Sequence, residues 1–155
     1  MEGPTGMSSH TAREFASSTT AKGRPQLLEK LAAQTAVIGI VGLGYVGIPL
    51  ALRFSEVGFP VVGFDIDQDR ITGLNGGQSP IKHIASADIA TMVESGFRAT
   101  TNFSEISAVD AIVICVPTPL SRHREPDLSF IVNTMQAIAP YCPPSEPIGH
   151  FELIA

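Results

Sequence analysis

Positive charge is scarce in this chain: ten lysines and arginines stand against fifteen aspartates and glutamates, for a net charge of −5. A nucleic-acid surface would be basic, so that class of partner is excluded. Charged residues of both signs make up only 16% of the chain, against 44% hydrophobic. Wholesale disorder needs the opposite balance. Only two cysteines occur, Cys115 and Cys142, with no CxxC pair. That excludes a disulfide framework and a zinc ribbon, and points to a reducing, cytoplasmic setting. His83 and His123 lack metal-ligand partners at suitable spacing and read as surface-loop histidines, so no metal site is expected. The N-terminal stretch has no apolar segment of the kind a secretory signal requires, and no internal repeat is visible.

What is present is organised in three parts. Residues 1–24 are small and polar, rich in Ser, Thr and Gly, and read as a disordered leader. Residues 25–142 alternate apolar runs with helical spacing, and residues 143–155 read as an irregular tail opening on Pro143 and Pro144. At 155 residues the chain is long enough for one domain on the usual scale of ~100–200 residues. The run Leu31–Leu52 carries no charge and invites comparison with a membrane span. Gly39, Gly42, Gly44, Gly47 and Pro49 inside it, with Gln34 and Thr35, favour instead a buried strand followed by a helix start.

The middle part reads as strand and helix in alternation. Helical spacing runs over Gln26–Ala33. Ala36–Val41 (AVIGIV) is a continuous apolar strand of the kind buried on both faces. A helix over Tyr45–Val57 ends at Gly58, and VVGFD (Val61–Asp65) is a second strand. Asp67 can cap a helix over Gln68–Leu74, and Ser86 one that stops at Gly96. Short strands follow at Phe97–Thr101 and Ala111–Val116, then a helix over Asp127–Ala139. Alternation of this kind gives right-handed βαβ units and a Rossmann-like doubly wound parallel sheet. The pattern stops after the helix following the fourth strand, so the sheet is expected to be incomplete.

Gly42-Leu43-Gly44-Tyr45-Val46-Gly47 is GxGxxG, set between the first strand and the next helix. Such a loop turns tightly at its first glycine, lets a pyrophosphate approach at its second, and packs helix on strand at its third. The helix N-terminus adds free N–H groups and partial positive charge. Asp65 closes the second strand, where a carboxylate can accept hydrogen bonds from both ribose hydroxyls and repel a 2′-phosphate. NAD is therefore favoured over NADP. Methyltransferases that use S-adenosylmethionine share a glycine-rich loop and an acid at this place, and Gly47 tips the balance to a dinucleotide. Pro49 withholds an N–H from the helix, as a harmless kink or as an adjustment around the phosphates.

IGIVGLGYVGIPLALRF, GFDID and VPTPL resemble the N-terminal domain of the UDP-glucose/GDP-mannose dehydrogenase family, and VPTPL…HREPDLSFIVNT resembles its UDP-N-acetylglucosamine 6-dehydrogenase branch. The resemblance covers about Leu27 to Tyr141. It implies NAD as cofactor, with Gly42, Gly44, Tyr45, Val46 and Gly47 around the pyrophosphate, Asp65 and Arg70 on the adenosine side, and Thr118 near the nicotinamide ribose. It implies oxidation of a UDP-sugar 6-hydroxyl to a carboxylate in two NAD-dependent stages, through a cysteine thiolate. That cysteine lies in a GFGGxCxxKD motif, which these 155 residues do not contain, so no catalytic residue is assigned. Neither Cys115 nor Cys142 takes its place. A homo-oligomer is implied only for full-length relatives, and no membrane partner is implied. Arg122, His123 and Arg124 form a small basic cluster, either a solvated loop or a contact for sugar-nucleotide phosphates. Beside the dehydrogenase reading stand a non-catalytic nucleotide-binding module and a methyltransferase fragment.

Overall fold

The computed structural model describes residues 24–119, 127–142 and 152–153. The leader, the Arg122–Arg124 cluster and most of the tail lie outside the described residues. Helix α1 (Arg24–Ala32) precedes strand β1 (Ile38–Val41), and α2 (Gly47–Glu56) leads to β2 (Val61–Phe64). Helices α3 (Gln68–Asn75) and α4 (Ser86–Glu94) precede the short β3 (Arg98–Thr100). A 3-10 turn at Phe103–Ala108 leads to β4 (Ala111–Ile114), and α5 (Ser129–Ile138) follows. β5 (Glu152–Leu153) is the last described element.

The strands lie in the order β3-β2-β1-β4-β5, and all four pairings are parallel. β1 therefore sits at the centre, and each of its residues is buried. That burial is why the segment is a charge-free apolar run rather than an alternating one. Period-two alternation divides the core into two layers. Ile38, Ile40 and Val61 pack with Ile48 and Ala51 of α2, Ile71 and Leu74 of α3, and Ile89 and Met92 of α4. On the other face Val41, Val62, Phe64, Ile112 and Ile114 pack with Ile106 and Ile138. α5 buries Ile131 and Ile138 while Leu128, Val132 and Met135 stay exposed.

The run Leu31–Leu52 is thus cut into the end of α1, a four-residue strand, the glycine loop and half of α2. Among the described residues no helix is long and apolar enough to cross a membrane.

Two local readings are corrected. Ser86 is not the cap of α4: Ala85 stands at that position without a side-chain hydrogen bond, and the Ser86 hydroxyl accepts the Ser79 N–H at 3.1 Å. The tail also contributes a strand, since Glu152 and Leu153 pair in parallel with Val113 and Ile114. Proline-rich residues before it hid a two-residue strand too short to show a period.

Side chains finish what the ladders leave open. Asn75 donates to the Ala99 carbonyl at 2.9 Å and accepts the Ala99 N–H at 2.8 Å, on the edge strand β3. Asp110 accepts from Lys30 Nζ at 2.5 Å and from the Val37 N–H at 2.9 Å, tying α1 to the start of β1. Burial alone would raise the Asp110 pKa, but the Lys30 hydrogen bond, the Val37 N–H and the Lys30 charge outweigh it and hold the carboxyl below its ordinary value.

Candidate functional site

The strand order reverses between β1 and β4, and at such a point an open parallel sheet leaves a crevice outside the carboxyl ends of its strands. The glycine loop leaves the end of β1 and Thr118 follows the end of β4, half exposed. The chain topology thus places both at that crevice.

The three glycines of the loop meet different surroundings. Gly42 has φ +96°, and a Cβ there would lie 2.6 Å from the Cys115 carbonyl oxygen. A Cβ on Gly47 would lie 1.8 Å from the Gly42 carbonyl oxygen, so the start of α2 closes directly on the turn. At Gly44 a Cβ would meet nothing within 4 Å. Two glycines are therefore demanded by the protein itself, and the middle one borders open space.

α2 begins at Gly47 without a side-chain cap and with no acid in its first turn. Ile48 donates its N–H to the Gly44 carbonyl at 3.1 Å and Pro49 has none, so the Gly47 N–H is the one left at this N-terminus for an anion. α3 differs, because Asp67 caps it by accepting from the Asp69 and Arg70 N–H groups, each at 3.1 Å. Pro49 falls in the first turn of α2, between Ile48 and Leu50, whose N–H groups bond the Gly44 and Val46 carbonyls, so its missing N–H withholds the corresponding bond from the Tyr45 carbonyl. Tyr45 and Val46 are exposed at the helix entrance.

Asp65 is the buried charged residue of the described core, 7% exposed. Its Oδ2 accepts the Leu43 N–H at 2.8 Å and Arg70 Nη1 at 3.0 Å, and its Oδ1 accepts the Asp67 N–H at 3.0 Å. Arg70 Nη2 also lies 3.7 Å from Asp67 Oδ2. A carboxylate has about four lone-pair sites. With three donors already on it, room remains for about one more, fewer than the two ribose hydroxyls that the strand-end position suggests. A concavity of about 310 Å³ opens beside Arg70, between α3 and residues Gln78–Pro80.

Of the residues singled out from sequence, Gly42, Gly47, Asp65 and Arg70 are joined by direct contacts or through Leu43, and Gly44, Tyr45 and Val46 lie on the same loop. Thr118 shares the crevice by topology alone. Leu43 was missed, because its position in GxGxxG is nominally free and only the fold shows what its N–H meets. Both cysteines stand apart from nucleophilic chemistry: burial pushes the Cys115 and Cys142 thiols above their ordinary value.

The donor set fits a dinucleotide, since open space at Gly44, an uncapped helix N-terminus and an acid at the end of β2 lie around one loop. Comparison with known proteins agrees. Residues 36–147 match the model of the UDP-glucose/GDP-mannose dehydrogenase family, NAD binding domain. The chain is 37% identical over 101 residues to UDP-N-acetyl-D-glucosamine 6-dehydrogenase of Pseudomonas aeruginosa, covering 65% of this chain and 23% of that protein. It is 39% identical over 110 residues to UDP-N-acetyl-D-mannosamine dehydrogenase of Escherichia coli (strain K12), covering 68% and 25%. Among solved structures, NDP-N-acetyl-D-galactosaminuronic acid dehydrogenase of Methanosarcina mazei Go1 superposes with a TM-score of 0.66 at 30% identity, covering 82% of this chain and 29% of that one. The chain spans about a quarter of the length of these relatives. By the extent of the family match, the chain belongs to the UDP-glucose/GDP-mannose dehydrogenase family, and the part of that family it carries is the NAD-binding domain.

Proposed function

We propose that this chain holds NAD across the crevice between β1 and β4, as the cofactor-binding part of a dehydrogenase acting on the 6-hydroxyl of a UDP-sugar. The observation that carries the reading is the contrast within the glycine loop: Gly42 and Gly47 are jammed against protein, while Gly44 faces open space at an uncapped helix start. In this reading Gly42, Gly44, Tyr45, Val46 and Gly47 surround the pyrophosphate. Asp65 accepts a ribose hydroxyl on its remaining lone pair, Arg70 steadies that carboxylate, and Thr118 offers a hydroxyl to the nicotinamide ribose.

NAD, when bound, supplies the hydride acceptor. The chain's own residues bind and orient it. Asp65 also sets cofactor choice, because its charge repels a 2′-phosphate. Arg70 at 3.0 Å partly offsets that charge, so discrimination against NADP is moderate rather than absolute.

The names of the P. aeruginosa and E. coli relatives point to a UDP-N-acetyl sugar as the substrate of the complete enzyme. Full-length members are the ones expected to form homo-oligomers. The two free thiols suit a reducing, cytoplasmic setting. The 155 residues alone bind the cofactor and do not oxidise the sugar, since burial raises the pKa of both the buried Cys115 and the half-buried Cys142 thiol and disfavours the nucleophilic thiolate.

Calorimetry tests the reading: NAD binds with a one-to-one stoichiometry, and S-adenosylmethionine does not. Binding of S-adenosylmethionine without NAD, or NADH production from UDP-N-acetylglucosamine by this chain alone, overturns it.

A further inference from the structure

Leu43 occupies a position that the GxGxxG pattern leaves free, yet it is fully buried. Two anchors hold it, one from β2 and one from the residue that follows it. Its N–H is donated to Asp65 Oδ2 at 2.8 Å. Its side chain fills the notch left by Gly63, where a Cβ would lie 2.8 Å from each Leu43 Cδ and 3.1 Å from Phe97 Cζ. Strand periodicity explains why the anchors coincide: residues two apart on a strand face the same way, so Gly63 and Asp65 lie on one face beneath the loop.

From this geometry we infer that Gly63 and Leu43 are positioning residues, a lock that presets the glycine loop for the cofactor before it arrives. The inference rests on the reading of that loop as the NAD site. Gly63 has ordinary backbone angles, so the need for glycine there is steric rather than conformational. Within a strand, alanine in place of glycine helps the backbone. A methyl group at this position therefore perturbs the site through Leu43 and not through the strand. Pushing the Leu43 side chain up from the notch draws its N–H off Asp65 and shifts the adjoining Gly44 backbone. Preorganisation lost in this way appears as affinity.

The full chain is compared with Gly63→Ala, Leu43→Ala and the double variant. NAD affinity is measured by calorimetry, and exchange of the residue-43 amide by NMR. Gly63→Ala weakens NAD about tenfold (~1.4 kcal/mol) and speeds exchange at residue 43, while the Ile40 amide of β1 stays slow. Leu43→Ala has a smaller effect of the same sign. In the double variant the new methyl enters the space vacated by the leucine, and affinity recovers above that of Gly63→Ala.

A role confined to general stability predicts that the Ile40 amide speeds up together with residue 43 in Gly63→Ala; that result, or no recovery in the double variant, overturns the lock. Unchanged NAD affinity and unchanged residue-43 exchange in Gly63→Ala overturn it as well. Should Gly63→Ala fail to fold, unchanged exchange at residue 43 in Leu43→Ala has the same force. If the unmutated chain does not bind NAD, the cofactor reading fails instead, and amide exchange alone then supports or overturns the lock.

Discussion

Alanine at each glycine of the loop separates folding from binding. At Gly44 the added methyl meets nothing within 4 Å, and the residue does not have a positive φ. Replacing glycine by alanine at a compatible position stabilises by about 0.4–1 kcal/mol, by narrowing the unfolded ensemble. At about 4 °C per kcal/mol for a domain of this size, Gly44→Ala should melt level with the unmutated chain or about 2–4 °C above it. At Gly47 the same methyl lies 1.8 Å from the Gly42 carbonyl oxygen, too close for any rotamer change to relieve. The helix start must move, and overpacking of this kind costs about 1–3 kcal/mol or more. Gly42→Ala meets both a positive φ and the Cys115 carbonyl, and should fall in the same range. The chain has no tryptophan, so far-UV circular dichroism is the suitable melting probe, with calorimetry for NAD. Gly44→Ala should keep its melting temperature and lose at least about tenfold in affinity, because the methyl enters the space assigned to the pyrophosphate. A Gly44→Ala chain that binds NAD normally, or one that melts like Gly47→Ala, refutes this reasoning.

Four further outcomes follow from named residues. Asp65→Ala should weaken NAD by about 1.5–3 kcal/mol, the scale of a hydrogen bond to a charged group, and narrow the preference over NADP; equal affinities in variant and parent remove the ribose role. Asp110 has a folded pKa below its ordinary 3.8, so its contribution is complete above pH 3.8 and is lost as pH falls through the lower folded value. The Lys30–Asp110 pair is partly exposed, with side chains at 50% and 22%, so Asp110→Asn should cost only about 1 kcal/mol or less at neutral pH. It should also flatten acid unfolding below pH 3.8, and superimposable acid profiles contradict this. Ellman's reagent at pH 7 should label half-buried Cys142 before buried Cys115, and both rapidly in guanidinium. Cys115→Ser should leave NAD affinity unchanged, and a loss there gives the thiol a role at the site.

The amino-acid sequence alone carried the βαβ alternation, the glycine loop and the acid that answers it. Buried parallel strands must be apolar on both faces, so AVIGIV announces itself. Glycine spacing at a strand-to-helix turn records steric demands that no other residue meets. Side-chain bonding partners were less legible. Ser86 has the residue type and place of a helix cap, yet its hydroxyl turns to Ser79 once the preceding loop folds over it. β5 has no readable period in two residues, and only the free edge of β4 makes it a strand.

The residues of the site were likewise named from the chain, and their division of labour came from the fold. Asp65 reads as a ribose acceptor, but packing spends three of its lone-pair sites on Leu43, Asp67 and Arg70. Which glycine has room beside it is decided by through-space neighbours, the Gly42 and Cys115 carbonyls on one side and open space on the other. Leu43 and Gly63 carry no local signal, since they lie far apart in sequence and meet only when β2 pairs beside β1. Local pattern thus determined what kind of site this chain can build. Strand pairing decided which atoms meet, because contact across a sheet depends on register and not on neighbours along the chain.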